Sequence, residues 1–213
     1  MIIAIDGPAA SGKGTIGKKI AAHYRFAYLD TGALYRAIAR DTILRGGNPA
    51  DEGAALEAAG ALDPESLGDP GLRAPQIGEA ASLVARHAAV RKALLAYQRS
   101  FAAAEPGAVL EGRDIGTVIC PDAEVKIFVT ATPEERARRR YLELKSNGNS
   151  ITEAEVLADI ERRDERDTGR AASPLRLAPD AYLLDTTNLD IDAAFKAAID
   201  LIDAAIGHVG CAR

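Results

Sequence analysis

Residues 7–15 read Gly7-Pro8-Ala9-Ala10-Ser11-Gly12-Lys13-Gly14-Thr15. The spacing suits one task, the holding of phosphoryl oxygens. Such oxygens need several backbone N–H donors converging on them. That calls for glycines where a Cβ would block the approach, and for a helix N-terminus directly behind. Lys13 supplies a mobile cation for the outer phosphates, and a hydroxyl supports a magnesium ion. The usual pattern sets Ser or Thr directly after the lysine, but here Gly14 intervenes and Thr15 carries the hydroxyl. The expectation is an ATP-binding loop with Mg2+ as cofactor, Thr15 being the metal-ligating candidate.

Two further clusters place charge at the ends of apolar runs. Asp30 ends one run, Thr31 is a candidate N-cap, and Arg36 lies one turn into the helix that follows. Locally these are a cap, a turn and a solvated charge, or else groups facing the Lys13 loop with Arg36 on a second phosphate. Glu111-Gly112-Arg113-Asp114-Ile115-Gly116-Thr117 follows another run. Its glycines allow close backbone approach, and its Arg-Asp pair is either a local ion pair or part of a site. Nine of the 19 arginines fall between Arg136 and Arg176, mixed with acids. They are solvated helix faces with i,i+4 pairs, or guanidinium groups turned inward to grip an anion bidentately.

The elements that must position these residues are short. Apolar runs suited to buried parallel strands occur at 1–5, 26–29, 108–111, 125–129 and 181–185. Between them lie helical patterns at 13–24, 32–45, 76–104, 133–145, 152–166 and 191–206. The last has Ile191, Phe195, Ile199, Ile202 and Ile206 in an apolar stripe. The alternation predicts an α/β fold, a doubly wound five-stranded parallel sheet of the P-loop NTPase type. Residues 48–75 read as a loose helical excursion. Residues 146–170, framed by Asn147-Gly148-Asn149 and Thr168-Gly169, read as a surface excursion or a lid.

Composition narrows the classes. The 213 residues carry 26 Lys+Arg against 31 Asp+Glu, a net charge of −5, with 47% hydrophobic residues. That is a globular chain, not a disordered or rod-like one, and no general nucleic-acid binder. No run is apolar enough to span a membrane, and the start reaches Asp6 too soon for a signal peptide. Cys120 and Cys211, read as unpaired thiols, point to a reducing, cytoplasmic compartment. His23, His87 and His208 have no metal-ligand spacing.

The loop at 7–15, Leu-Asp-Thr-Gly-Ala-Leu-Tyr-Arg at 29–36, Glu-Gly-Arg-Asp-Ile-Gly-Thr-Val at 111–118 and Arg-Arg-Asp-Glu-Arg-Asp at 162–167 with Arg170 follow one another. Together they resemble bacterial cytidylate kinases over nearly the whole chain. The Gly-Lys-Gly-Thr spelling is that of nucleoside monophosphate kinases, and no guanine-reading Asn-Lys-x-Asp is present.

The resemblance implies one kinase domain over 1–213, with a core at about 1–47, 105–145 and 171–213, an acceptor insert at about 48–104 and a lid at about 146–170. It implies ATP-dependent phosphorylation of CMP and dCMP by a monomer. The loop would hold the ATP phosphates. Arg36, Arg113 and Arg170 would hold the acceptor phosphate, near Asp30 and Thr31. Ser82, Arg91 and Asp114 would line the cytosine pocket, and Arg163 and Asp167 would reach the pentose. Lys13, Arg113, Arg163 and Arg170 would be catalytic. Arg136 and Arg140, one turn apart, are expected on the ATP side. These enzymes usually carry a longer insert with a small antiparallel sheet, and the matching stretch at 62–76 is short.

The residues alone leave two alternatives, a P-loop kinase of another small acceptor and an ATP-binding regulatory module without turnover. One geometric condition also follows. Ser82 and Arg91 are nine residues apart, about 180° on a helix. If both face one base, the helical stretch must break between them, near 87–89.

Overall fold

The computed structural model describes residues 1–210, so Cys211 lies outside the described residues, while Cys120 is a buried free thiol. Five short apolar runs pair in parallel: β1 (Ile2–Asp6), β2 (Ala27–Asp30), β3 (Ala108–Gly112), β4 (Val125–Thr130) and β5 (Tyr182–Asp185), the last an edge strand with three of its four residues exposed. Their order is β2-β3-β1-β4-β5, with β1 and β3 at the centre and buried along nearly their whole length. The register sets Asp30 opposite Glu111 and Asp6 opposite Gly112. Three acids therefore end adjacent strands at the carboxyl edge of the sheet, where ligands of such sheets bind.

Helices cover both faces. α1 (Lys13–Tyr24) and α8 (Ile191–Gly210) bury Ile16, Ile20 and Ile202 against Ile3 and Ile5. On the other face α2 (Thr31–Leu44), α4 (Pro75–Val84) and α5 (Ala88–Ala102) pack Leu34, Ile38, Val84 and Leu94 on Leu110. α6 (Pro133–Ser146) and α7 (Glu153–Thr168) pair around a small core of Ala137, Leu144, Val156 and Ile160. Thr152 and Glu155 start α7 with a reciprocal capping box. Among the described residues no helix is long and apolar enough to cross a membrane.

The helix expected at 76–104 is two helices. The chain breaks at 85–87, where His87 has extended backbone and its Nε2 meets the Pro49 carbonyl at 2.9 Å. The expected excursion at 48–75 holds α3 (Glu52–Gly60) and two 3-10 turns, Pro64–Gly68 and Pro70–Arg73, capped by Asp63 and Asp69. Its anchor is Leu72, which is fully buried.

Candidate active site

The loop between β1 and α1 is shaped by close backbone approach. Gly7 has φ 154°, and a Cβ there would sit 2.0 Å from the Val129 carbonyl oxygen. Gly12, at φ 88°, is the N-cap of α1 and leaves the first N–H groups of the helix to an incoming anion. Gly14 accounts for the departure from the usual spelling. A Cβ at this position would lie 3.1 Å from Oε1 and 3.2 Å from Oε2 of Glu111, so a serine or threonine would press on that carboxylate and require it to give by a few tenths of an ångström.

Lys13 donates to the Pro8 carbonyl at 3.1 Å. Burial, reinforced by the charge of Arg113, pushes its ammonium down to about 8. Burial pushes Glu111 in the opposite sense, up from the ordinary carboxylate range, and its Oε2 has no hydrogen-bond partner.

Lys13 and thirteen of the other expected residues do not sit far apart. One cleft is lined by Ala9, Ala10, Lys13, Asp30, Thr31, Arg36, Ser82, Arg91, Arg113, Asp114, Arg140, Arg163, Asp167 and Arg170. Its walls carry eight basic side chains against five acidic ones, a positive pocket in a negative protein. Most of the cations are already held. Arg36 donates to Asp30 at 2.5 Å, and although burial opposes it, that guanidinium holds the Asp30 carboxyl below its ordinary range. Arg91 pairs with Asp114, both buried, and its guanidinium lies 5.5 Å from the ring centre of Tyr35. Asp167 receives Arg113 at 2.8 Å and also Arg170. Arg163 differs from these arginines: it makes no ion pair with a described residue, its buried Nε has no partner, and burial beside Arg113 lowers it to about 10. Ser82 Oγ is likewise buried without a partner.

The helix break brings Ser82 and Arg91 into this one cleft, as the nine-residue spacing requires. Two expectations are corrected. Asp30, not Thr31, is the N-cap of α2, its carboxylate accepting from the Ala33 N–H. Thr31 is the first helical residue and its hydroxyl donates across to the Glu111 carbonyl at 2.7 Å. Arg136 does not share the cleft with Arg140. It is buried under α7, with Nε on the Ala131 carbonyl, one amino group on the Ala9 carbonyl and both on Asp164 at 2.6 and 3.1 Å. It braces the phosphate loop against two helices. Thr15 is exposed at the start of α1 and does not line the cleft, nor do Gly7, Pro8, Ser11, Gly12 and Gly14.

Sequence reasoning missed Glu111, Asp6 and Asp164 as contributors to the site. The available signal for the first two was an acid at the end of a buried strand.

The family model for cytidylate kinase matches residues 3–204. A cytidylate kinase of Rhodopseudomonas palustris is 59% identical over 204 residues, covering 96% of each chain. One of Nitrobacter winogradskyi is 60% identical with the same coverage. Among solved structures, a gluconokinase from Sinorhizobium meliloti superimposes with a TM-score of 0.54 at 13% identity, covering 99% of this chain and 97% of the other, a likeness of fold.

Proposed function

The chain belongs to the cytidylate kinase family, and we propose that it transfers the terminal phosphoryl group of ATP to CMP and dCMP. One observation carries the reading. The phosphate loop opens into a cleft whose far wall presents a buried guanidinium–carboxylate pair, Arg91 and Asp114, beside the unpartnered hydroxyl of Ser82. Cytosine offers an amino donor at N4 and acceptors at N3 and O2. A carboxylate accepts from the first, and an arginine and a hydroxyl donate to the others.

Phosphoryl transfer has a loose, highly charged transition state, so positioning and charge neutralisation do most of the catalysis. Lys13 and the loop amides hold the donor phosphates. Arg36, Arg113 and Arg170 hold the acceptor phosphate, exchanging their carboxylate partners for it. Arg163, unpaired beside them, is free to meet charge that develops between donor and acceptor, and with Asp167 it borders the pentose. Arg140 is the α6 arginine on the ATP side, while Arg136 supports the loop from behind.

Hard oxygen donors suit Mg2+, and the unpartnered Glu111 carboxylate oxygen beside Gly14 fits such an ion; the Thr15 hydroxyl, exposed one residue further on, is the loop's own candidate donor to it. Bound there, it would neutralise charge on the ATP phosphates. Segment 146–170, which carries Arg163 and Asp167 on α7, acts as a lid that excludes water. The enzyme would work as a cytoplasmic monomer in pyrimidine nucleotide metabolism.

An acceptor screen with ATP and Mg2+ tests this. CMP and dCMP should be good acceptors, UMP poor, and AMP and GMP excluded by size. Faster transfer to any other acceptor, or ATP binding without transfer to any of them, overturns the proposal.

A further inference from the structure

Asp6 is a buried carboxylate that the transfer just described does not use. It ends β1, immediately before the phosphate loop, and makes no ion pair with any described residue. Its two oxygens instead reach across the sheet edge. Oδ1 accepts the N–H of Ile115 and Oδ2 the N–H of Gly116, each at 2.8 Å. Those amides open a single π-helical turn, Ile115–Ile119, that follows directly on Arg113 and Asp114.

The first N–H groups of any helical turn lack partners within it, and the usual remedy is the side chain at the N-cap. Here the N-cap is Asp114, and its side chain makes no capping bond. Its carboxylate is turned to Arg91 and the cleft instead. An aspartate free to cap its own turn would do so at little cost, so the missing cap has to come from elsewhere.

We propose that Asp6 is a positioning residue for the acceptor site: it caps the 115–119 turn from β1 and so leaves the Asp114 carboxylate free to read the base. The inference rests on the reading of Asp114 as the group that accepts from the cytosine amino group.

Two features fit a role beyond stability. Burial of this carboxyl is costly, pushing it up to about 6 despite the two N–H bonds, and a neutral side chain would fold there at less cost. Only a carboxylate, however, accepts two adjacent N–H groups at once, because an amide brings one acceptor and one donor. Lys126 lies alongside Gly116, but its ammonium turns away to Asp180 at 2.7 Å and does not neutralise Asp6.

Asp6→Asn leaves one of the two amides facing an NH2 group, and the replacement acceptor is Asp114, the N-cap residue of the same turn. The KM for CMP should rise about tenfold, the value of one hydrogen bond of this kind. The preference for CMP over UMP should narrow, and the KM for ATP should stay within about twofold. A merely structural defect would lower kcat, or raise both KM values together, and either result overturns the proposal, as does an unchanged KM for CMP.

Gly116→Ala keeps Asp6 and disturbs the same contact, since its Cβ would lie 3.1 Å from Lys126 Cδ and 3.4 Å from Asp6 Oδ2. It should show the same CMP-selective loss at smaller size, and it decides the matter if the asparagine variant does not fold. Should the wild-type chain transfer nothing to CMP, the functional reading fails by itself. Amide exchange then judges Asp6: in Asp6→Asn, exchange should quicken at 115–116 and not in the phosphate loop, and equal protection in both proteins would overturn the capping role.

Discussion

At the donor end, residues 7–15 form one continuous loop with Gly7 and Gly12 at positive φ, and it gives Ala9, Ala10 and a single cation, Lys13, to the cleft wall. At the acceptor end, Arg36, Arg91, Arg113 and Arg170 come from α2, α5, the end of β3 and the chain after α7, and each already touches a carboxylate. The donor end therefore waits with a cation that makes no ion pair with a described residue and that burial has pushed down to about 8. These four arginines of the acceptor end wait paired, each on an internal acid. Internal acids hold its arginines in place until a phosphate takes their partners over, so little reorganisation remains for the moment of transfer. A lost side chain should accordingly damage chemistry at the first end and architecture at the second.

The largest expected effect is Lys13→Ala. Removal of the only donor-loop cation should lower kcat/KM by about 1,000-fold. Because the ammonium is buried at a cost, thermal stability should hold or rise. Near-normal turnover in well-folded protein would break the contrast at its donor end.

Asp167→Ala should act the other way round. It strands Arg113 and Arg170 in a buried site, a change that costs on the order of 3 kcal/mol of stability. An acceptor phosphate would then restore the missing negative charge, so CMP should raise the melting temperature of this variant more than that of the wild type. Equal shifts in both proteins would show that Asp167 does not substitute for the phosphate.

Much of this was legible in the sequence. The five strands and α8 follow from short apolar runs and one helical stripe, which local composition records. The α4–α5 break followed from requiring Ser82 and Arg91 to share a ligand, although no proline or glycine marks it between Val84 and Ala88. What the sequence concealed was which side of a charged helix faces inward. Arg136 and Arg140 share a face of α6, but α7 packs over one and not the other, a tertiary fact with no local signature. The same holds for Asp30 and Thr31. Either can cap α2, and the choice is decided by the Glu111 carbonyl that takes the Thr31 hydroxyl.

Asp6 supplies the next effect in size and separates cost from use. Its folded-state carboxyl titrates at about 6 against an ordinary 3.8. Between those values the folded chain keeps a proton that the unfolded chain has lost. Stability therefore falls as pH rises through this window, and the loss is complete above it. Asp6→Asn has no such dependence. The stability of the wild type relative to the variant should decline by up to about 3 kcal/mol between about pH 4 and pH 7. Denaturant unfolding at both pH values measures this, and a constant difference would mean that Asp6 is not buried at a cost.

The smallest effect sharpens the acceptor end most. In the free protein Asp114 faces Arg91, and with CMP bound it should also accept from the cytosine amino group. UMP presents a carbonyl oxygen at that point, so a buried carboxylate would meet an acceptor and repel it. An amide at position 114 can turn either a donor or an acceptor to the base. Asp114→Asn should therefore lose activity on CMP while relieving the clash with UMP, narrowing the CMP-to-UMP ratio of kcat/KM by about tenfold or more. If Asp114 serves only to hold Arg91 and its neighbour Arg113, the same substitution loosens guanidinium groups that every acceptor needs. Activity on CMP and UMP would then fall in proportion. The ratio of the two, measured in both proteins, separates base reading from scaffolding, and an unchanged ratio removes Asp114 from the recognition of cytosine.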